Sequence, residues 1–338
     1  KIKKKNITND NIFSLGKFRS VVFDEKGILS YSPPKSIRYD IFIQTNNISD
    51  CSIEEFVEGT MIHCFYKNDE WEIATRFQIG GKIKFYQDSK KTFREMFLES
   101  LICMNMTLDM LDKRYSYIFV LQHPENRIVV PFQKPNIVLL NIYMNQKYTV
   151  CKKNIYSTEF DELRKYVSVP KRYQSANSWG ELEKYFSDLS YDIVGCIIYN
   201  KHGDRTKIRN KNYEKVKKMK GNNTKIQFQY YELRKKNNVK EYLKHYPEHK
   251  DKFMELRNDL HNWTKLLFNY YKNYYIKKEK IIIPFEFKPH LQNLHHIYRN
   301  KYMKQKLSVN MKVVINYVNN LHPARLMFSI NYFSRNKS

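Results

Sequence analysis

Two stretches of this 338-residue chain interleave cations with tyrosines: "NKNYEKVKKMKG" (210–221) and "FNYYKNYYIKKEK" (268–280). Side chains mixed in this way suit nucleic acid, because lysine neutralises phosphate while a tyrosine ring stacks on an unpaired base. Lys215, Lys217, Lys218 and Lys220 are the candidate phosphate contacts. In the second stretch Tyr270 and Tyr274 fall at core spacing, which leaves Tyr271 and Tyr275 as the candidates for stacking. Metal chemistry has no comparable signal. The five cysteines (Cys51, Cys64, Cys103, Cys151 and Cys196) are scattered with no zinc-ligand spacing and read as reduced thiols. His295 and His296 point about 100° apart on a helix and have no acid or cysteine beside them, so no metal site is expected.

Charge reinforces the nucleic-acid reading. The formal net charge is +26. Residues 1–200 hold 28 Lys and Arg against 24 Asp and Glu, whereas residues 201–338 hold 32 against 10. A surface so one-sided repels itself unless a polyanion lies nearby, which makes RNA, or less favourably DNA, the expected partner. No apolar run approaches the ~18 residues needed to cross a bilayer, and no amphipathic stretch joins a basic face to a free apolar one. The opening "KIKKKNITND" has neither a hydrophobic signal core nor an initiator Met, so residue 1 is not assumed to be the native start; the scattered cysteines are what make a cytoplasmic setting the expectation. Richness in Lys, Asn, Ile and Tyr fits an A/T-rich genome.

These residues need elements to position them. "RSVVFD" (19–24) and "GILSYS" (27–32) read as paired strands, and "TMIHCFYK" and "WEIATRFQI" as a hairpin around Asn68-Asp69-Glu70. "KTFREMFLESLICM" (91–104) has helical spacing, and "YSYIFVLQ", "RIVVPF" and "NIVLLNIYM" are β-rich. Ser178 followed by Glu181 marks a capped helix start. "YDIVGCIIYN" and "RTKIRN" are strands joined at the turn "KHGD". From about residue 236 the pattern becomes helical, led by Phe253, Leu256, Leu260, Trp263 and Leu267 at steps of three and four.

The order of motifs across residues 19–220 resembles the phage-type ATP-dependent RNA ligases of the covalent nucleotidyltransferase superfamily. "FVEGT" (56–60) stands where that family carries lysine, any residue, aspartate, glycine and a small hydroxyl residue. "KFRSVVFDEKG" is similar to the family's arginine segment and "SPPKS" to its following lysine segment. "EIATRF" takes the place of a basic strand, and "YIFVLQHPENRIVVPF" (117–132) is close to "FELVSPENRIVxPY". "DIVGCIIYN" and "TKIRNKNYEKV" resemble the last two motifs. The wording "VEGT" and "VLQHP" also resembles proteins of large cytoplasmic DNA viruses. The resemblance implies an α+β fold: an RNA-ligase and ATP-grasp-like nucleotidyltransferase domain of antiparallel sheets with flanking helices over residues 1–230. A basic all-α domain would follow over residues 231–338. It also implies that Arg19, Lys35, Arg76, Lys207 and Arg209 face nucleotide phosphate.

The departures decide the chemistry. The family's lysine amine attacks the α-phosphate of ATP, and an amine is indispensable to that step. Here Phe56 replaces it. Two carboxylate positions hold Val120 and Val194, which offer Mg²⁺ no oxygen. Glu58 and Gly59 survive. With acids lost and cations kept, the site reads as an anion-binding groove in a catalytically inactive protein with no cofactor. Three alternatives stand beside it. In one the pocket has filled with Phe56, Val120 and Val194. In another an active ligase takes ATP and Mg²⁺ and uses Lys35, Lys82 or Lys84. In the third the chain is a scaffold subunit of a viral or nucleoprotein assembly.

Overall fold

The computed structural model describes residues 17–85, 89–174 and 176–335, so the opening segment lies outside the described residues. The chain divides into two compact units that meet at Lys218/Met219.

The first unit begins with a hairpin of β1 (Val21–Asp24) and β2 (Gly27–Tyr31), then α1 (Tyr39–Thr45) and β3 (Ser52–Glu55). The hairpin of β4 (Thr60–Lys67) and β5 (Glu70–Thr75) follows. Its tip is Asn68-Asp69, both left-handed at φ 49° and 62°, as a two-residue hairpin turn demands. Helix α2 (Phe93–Cys103) starts at Thr92, which accepts from the Glu95 N–H while the Glu95 carboxylate accepts from the Thr92 N–H. Next come β6 (Tyr115–Gln122), β7 (Asn136–Asn145), β8 (Val150–Lys153), α3 (Asp161–Arg164) and β9 (Arg172–Tyr173). Helix α4 (Trp179–Ser187) is capped by Ser178, whose hydroxyl accepts from the Glu181 N–H at 3.2 Å. The unit closes with β10 (Gly195–Tyr199), β11 (Arg205–Arg209) and α5 (Lys211–Lys220), whose last turn crosses into the second unit.

Two larger sheets organise this unit. One runs β5-β4-β6-β7-β8 and the other β11-β10-β3-β9, with every pairing antiparallel. Side-chain alternation gives each sheet a core face and an inner face. On the first sheet Ile62, Cys64, Phe119, Leu121, Ile137 and Leu139 pack with Phe93, Met96, Phe97 and Leu101 of α2. On the second, Ile53, Cys196, Ile198 and Ile208 pack with Phe42 of α1 and with Leu182 and Phe186 of α4. Each fully buried side chain of this size stabilises the fold by roughly 1.5–3 kcal/mol, so the outer helices fix which residues are left to face inward.

One expected strand is absent. "RIVVPF" lies outside the sheets: Val129 and Val130 donate their N–H groups to the Glu58 carboxylate at 2.9 and 3.0 Å. Pro131 has no N–H to offer a neighbouring strand. All five cysteines are free thiols.

In the second unit the described elements are helices: α6 (Ile226–Lys235), α7 (Val239–His245), α8 (Lys250–Tyr271), α9 (Lys288–Ile297), α10 (Met311–Asn320), α11 (Pro323–Ile330) and α12 (Tyr332–Arg335). The buried stripe of α8 ends on Leu267 and Tyr271, and Tyr275 stacks on His295 at 4.0 Å between ring centres. The expected assignment is thus reversed, because Tyr274 is exposed while Tyr271 is buried. Trp263, Leu267 and Tyr271 already fall in steps of four within α8, and the wider turn over Lys272–Ile276 continues that step to the half-buried Tyr275. Among the described residues no helix is long and apolar enough to cross a membrane.

Candidate functional site

The inner faces of the two sheets enclose a cavity of about 460 Å³. Strand β11 supplies its charge. The sequence R-T-K-I-R alternates, so Thr206 and Ile208 are buried toward the core while Arg205, Lys207 and Arg209 reach the cavity. Arg19, just before β1, and Arg76, just after β5, line it as well, as does Lys84. Phe56, Phe77, Phe85 and Tyr199 contribute aromatic wall.

The cations crowd one another. Desolvation at the wall and the charges of Arg205, Arg76 and Arg209 pull the Arg19 pKa down to about 10. Lys207 is lowered too, first by burial and then by Arg209, Arg19 and Arg205. Arg209 spends one guanidinium nitrogen on Glu214 at 2.7 Å, while its buried Nε–H meets no acceptor. Arg205, only 6% exposed, donates to the carbonyls of Pro34 at 2.7 Å and Pro33 at 3.4 Å. An anion placed among these groups relieves repulsion that the protein alone does not neutralise.

The degenerate motif sits on the same wall. The Phe56 N–H donates to the Gly195 carbonyl at 3.1 Å, and its ring stands 5.7 Å from the Arg209 guanidinium. Val120 lines the cavity and packs with Val57 and Val138. The filled-pocket alternative fails here, since these valines pack among themselves and leave the space open. Gly59, at φ +144°, crosses β6 so closely that an added Cβ would lie 2.3 Å from the Leu121 carbonyl oxygen. That contact explains why glycine persists when the nucleophile does not.

Three expected positions lie elsewhere. Val194 is buried outside the cavity lining, and its carbonyl accepts from the Asn210 N–H at 2.9 Å. Lys35 is exposed and is not among the lining residues; its N–H donates to the Lys17 carbonyl. Glu58 is 6% exposed and turns away to the Val129 and Val130 N–H groups, with the Tyr213 hydroxyl also hydrogen-bonded to it. The surviving acid therefore fastens a loop to the sheet and leaves the cavity without it.

The carboxylates on the lining are Glu54 and Glu55. Glu54 faces Arg172 at 3.9 Å, and Glu55 accepts from the Lys171 N–H at 3.2 Å. No group of three or more His, Cys, Asp or Glu suited to a metal ion occurs among the described residues. Val120 and the withdrawn Glu58 offer no oxygen ligand within the cavity.

Of the candidate phosphate contacts on α5, Lys215 and Lys218 are exposed and Lys217 lies over the Tyr213 ring at 5.6 Å. Lys220 departs from expectation. It is 8% exposed, with its amine over the Tyr246 ring at 5.5 Å and its carbonyl accepting from Gln229. Tyr246 comes from a distant part of the sequence, which is why charge spacing alone did not separate Lys220 from its neighbours. Sequence reasoning also missed Arg205, although the alternation of R-T-K-I-R placed it on the face of Lys207 and Arg209.

No protein-family model matches the chain. Among curated proteins it is similar to an RNA ligase of Rhodothermus phage RM378, with 33% identity over 98 residues, or 26% of this chain and 22% of that protein. It is also similar to an immediate-early protein ICP-46 homolog of invertebrate iridescent virus 3, with 23% identity over 197 residues, or 55% and 41% of the two chains. A solved putative ATP-dependent DNA ligase from Aquifex aeolicus aligns with a TM-score of 0.42 at 14% identity, covering 61% of this chain and 56% of that one. The chain spans less than half the length of the curated relatives it matches. These relatives agree with the resemblance read from the motifs: the chain is similar to part of a phage RNA ligase and to part of an iridescent-virus protein.

Proposed function

We propose that this chain is a catalytically inactive RNA-ligase-fold protein that binds RNA through the cavity cations and a basic helical second unit. The observation that carries this reading is the cavity itself. Arg19, Arg76, Arg205, Lys207 and Arg209 surround an open space beside Phe56, while the acid of the motif points away. RNA is favoured over DNA because the phage relative bears the name RNA ligase. A cytoplasmic setting, with the chain as part of a larger nucleoprotein or viral assembly, belongs to the same proposal and is supported by the five free thiols and the relatives.

The test is RNA binding as a function of salt. Neutralising six phosphates gives a slope of log K against log salt of roughly −4 for single strands, at about −0.7 per contact. Charge reversal at Lys215 and Lys218 should weaken all sequences alike, since phosphate contacts carry no base readout. Binding indifferent to salt and to these changes would instead point to an acidic protein partner and the scaffold reading. An active ligase is the rival that Lys84 and Lys207 favour, both having amines on the cavity wall. It requires label from ATP to remain covalently attached to the denatured protein; we expect none.

A further inference from the structure

Between α8 and α9 the second unit carries a straight stretch of chain whose backbone pairs with nothing. Its sequence is K-E-K-I-I-I-P-F (278–285), and residues 278–284 run without helix, turn or bend. Both ends are anchored: the Glu279 N–H donates to the Asn273 carbonyl at 2.9 Å, and the Pro284 carbonyl accepts from the Phe287 N–H at 3.1 Å. Between these anchors the backbone groups of Lys280, Ile281, Ile282 and Ile283 have no hydrogen-bond partner among the described residues. Three consecutive β-branched residues favour an extended backbone, and Pro284 keeps Ile283 out of the helical region.

The side chains around this stretch are apolar and uncovered. Ile282 is 96% exposed, Phe285 62% and Phe328 51%. Phe285 stacks on Tyr332 at 5.6 Å between ring centres, and Tyr332 meets Phe328 edge-on at 6.3 Å. An aromatic shelf therefore continues the stretch at its Pro284 end. Lys278, Lys280 and Lys288 are exposed. The nearby acids do not balance them, since Glu279 pairs with Lys277 at 3.2 Å and Glu286 is buried.

We propose that Lys280–Ile283 is a docking edge for an extended acidic segment of a partner protein, which adds itself as a strand and lays an apolar side chain on Ile282. A straight, unpaired backbone offers N–H and C=O groups in alternation, and another peptide backbone answers both, whereas phosphates only accept. Isoleucine has no π face on which a base could stack. A second copy of this chain would bring its own lysines to a region where residues 201–338 already hold 32 Lys and Arg against 10 Asp and Glu. Carboxylates flanking an apolar centre satisfy the lysines and the isoleucine together. The two anchors hold the stretch straight in advance, so little ordering is left for the partner to impose.

The experiment titrates the full chain into a fluorescently labelled, end-capped peptide of alternating valine and threonine flanked by glutamates, and follows amide hydrogen exchange. Strand addition draws its affinity from the backbone, so a generic peptide serves as the probe. Binding should saturate and should slow exchange at Lys280–Ile283. Lysine flanks in place of glutamates should weaken it at least about tenfold, the effect of about three exposed charge pairs. The same peptide N-methylated at every peptide bond, which has no donors, should not bind. Ile282→Pro removes one N–H that no group of the chain uses and suits an extended backbone, so affinity should fall at least about tenfold with the thermal midpoint unchanged. Ile282→Asp keeps every backbone group, repels the glutamates and should weaken the peptide likewise. Absence of protection at these amides, or equal binding of the N-methylated peptide, overturns the proposal. So does self-association of the chain that Ile282→Pro abolishes, or protection of the same amides by oligoadenylate in place of the peptide. None of these outcomes bears on RNA binding at the cavity of the first unit, so the two readings fail separately.

Discussion

Replacing Phe56 by lysine returns an amine to the position where the related ligases carry their nucleophile, and the structure predicts how that amine behaves. The ring it replaces stands 5.7 Å from the Arg209 guanidinium. Two positive charges at that distance repel by about 3 kcal/mol at an effective dielectric of ~20. Glu214, paired with Arg209 at 2.7 Å, offsets part of this, leaving roughly 1.5 kcal/mol, or about one pKa unit. Arg19 and Lys207 add to the repulsion from the same wall. Like charge penalises the protonated form, so the introduced amine should titrate one to two units below the usual lysine value of about 10.4. The assay is the pH dependence of amine modification at that peptide, read by mass spectrometry. An unshifted pKa would refute the crowding of cations. Even with a partly neutral amine, Phe56→Lys should form no adenylate with ATP and Mg²⁺, because Val120, Val194 and the inward-turned Glu58 supply no metal ligand. Label on that residue would sink the argument from the missing carboxylates.

Two further outcomes follow from the same architecture. Gly59→Ala should destabilise the first unit by about 3 kcal/mol, because the new Cβ meets the Leu121 carbonyl at 2.3 Å in a backbone conformation that L side chains rarely adopt; a denaturant midpoint close to the parent's would show that β6 yields. His63, fully buried and hydrogen-bonded to Ser20 at 2.9 Å and Ser30 at 2.8 Å, has its pKa lowered to about 4 by burial. The unfolded chain therefore takes up the proton first, and stability is lost as pH falls from about 6.5 toward 4, by roughly 2 kcal/mol at pH 5. His290, also near 4, gives the second unit its own acid sensitivity, so the measurement is the difference between parent and His63→Gln, which should flatten with the variant.

Much of this protein could be read from local pattern. The β-rich runs "TMIHCFYK" and "GCIIYN", the turn at Asn68-Asp69 and the caps at Thr92 and Ser178 arise from neighbours in the chain, so the sequence determines them by itself. Charge asymmetry and the motif order across residues 19–220 are equally local facts, and they were enough to indicate the relatives. Tertiary structure decided the rest. Glu58 could have faced the cavity or the interior; the two N–H groups of Val129 and Val130, seventy residues away in the chain, drew it inward. Lys220 shares the composition of its neighbours but lies over Tyr246, and Tyr271 is buried as the next step of four after Trp263 and Leu267. Periodicity tells which residues share a face. Which face meets solvent, a cavity or an unpaired backbone donor depends on elements that only folding brings together.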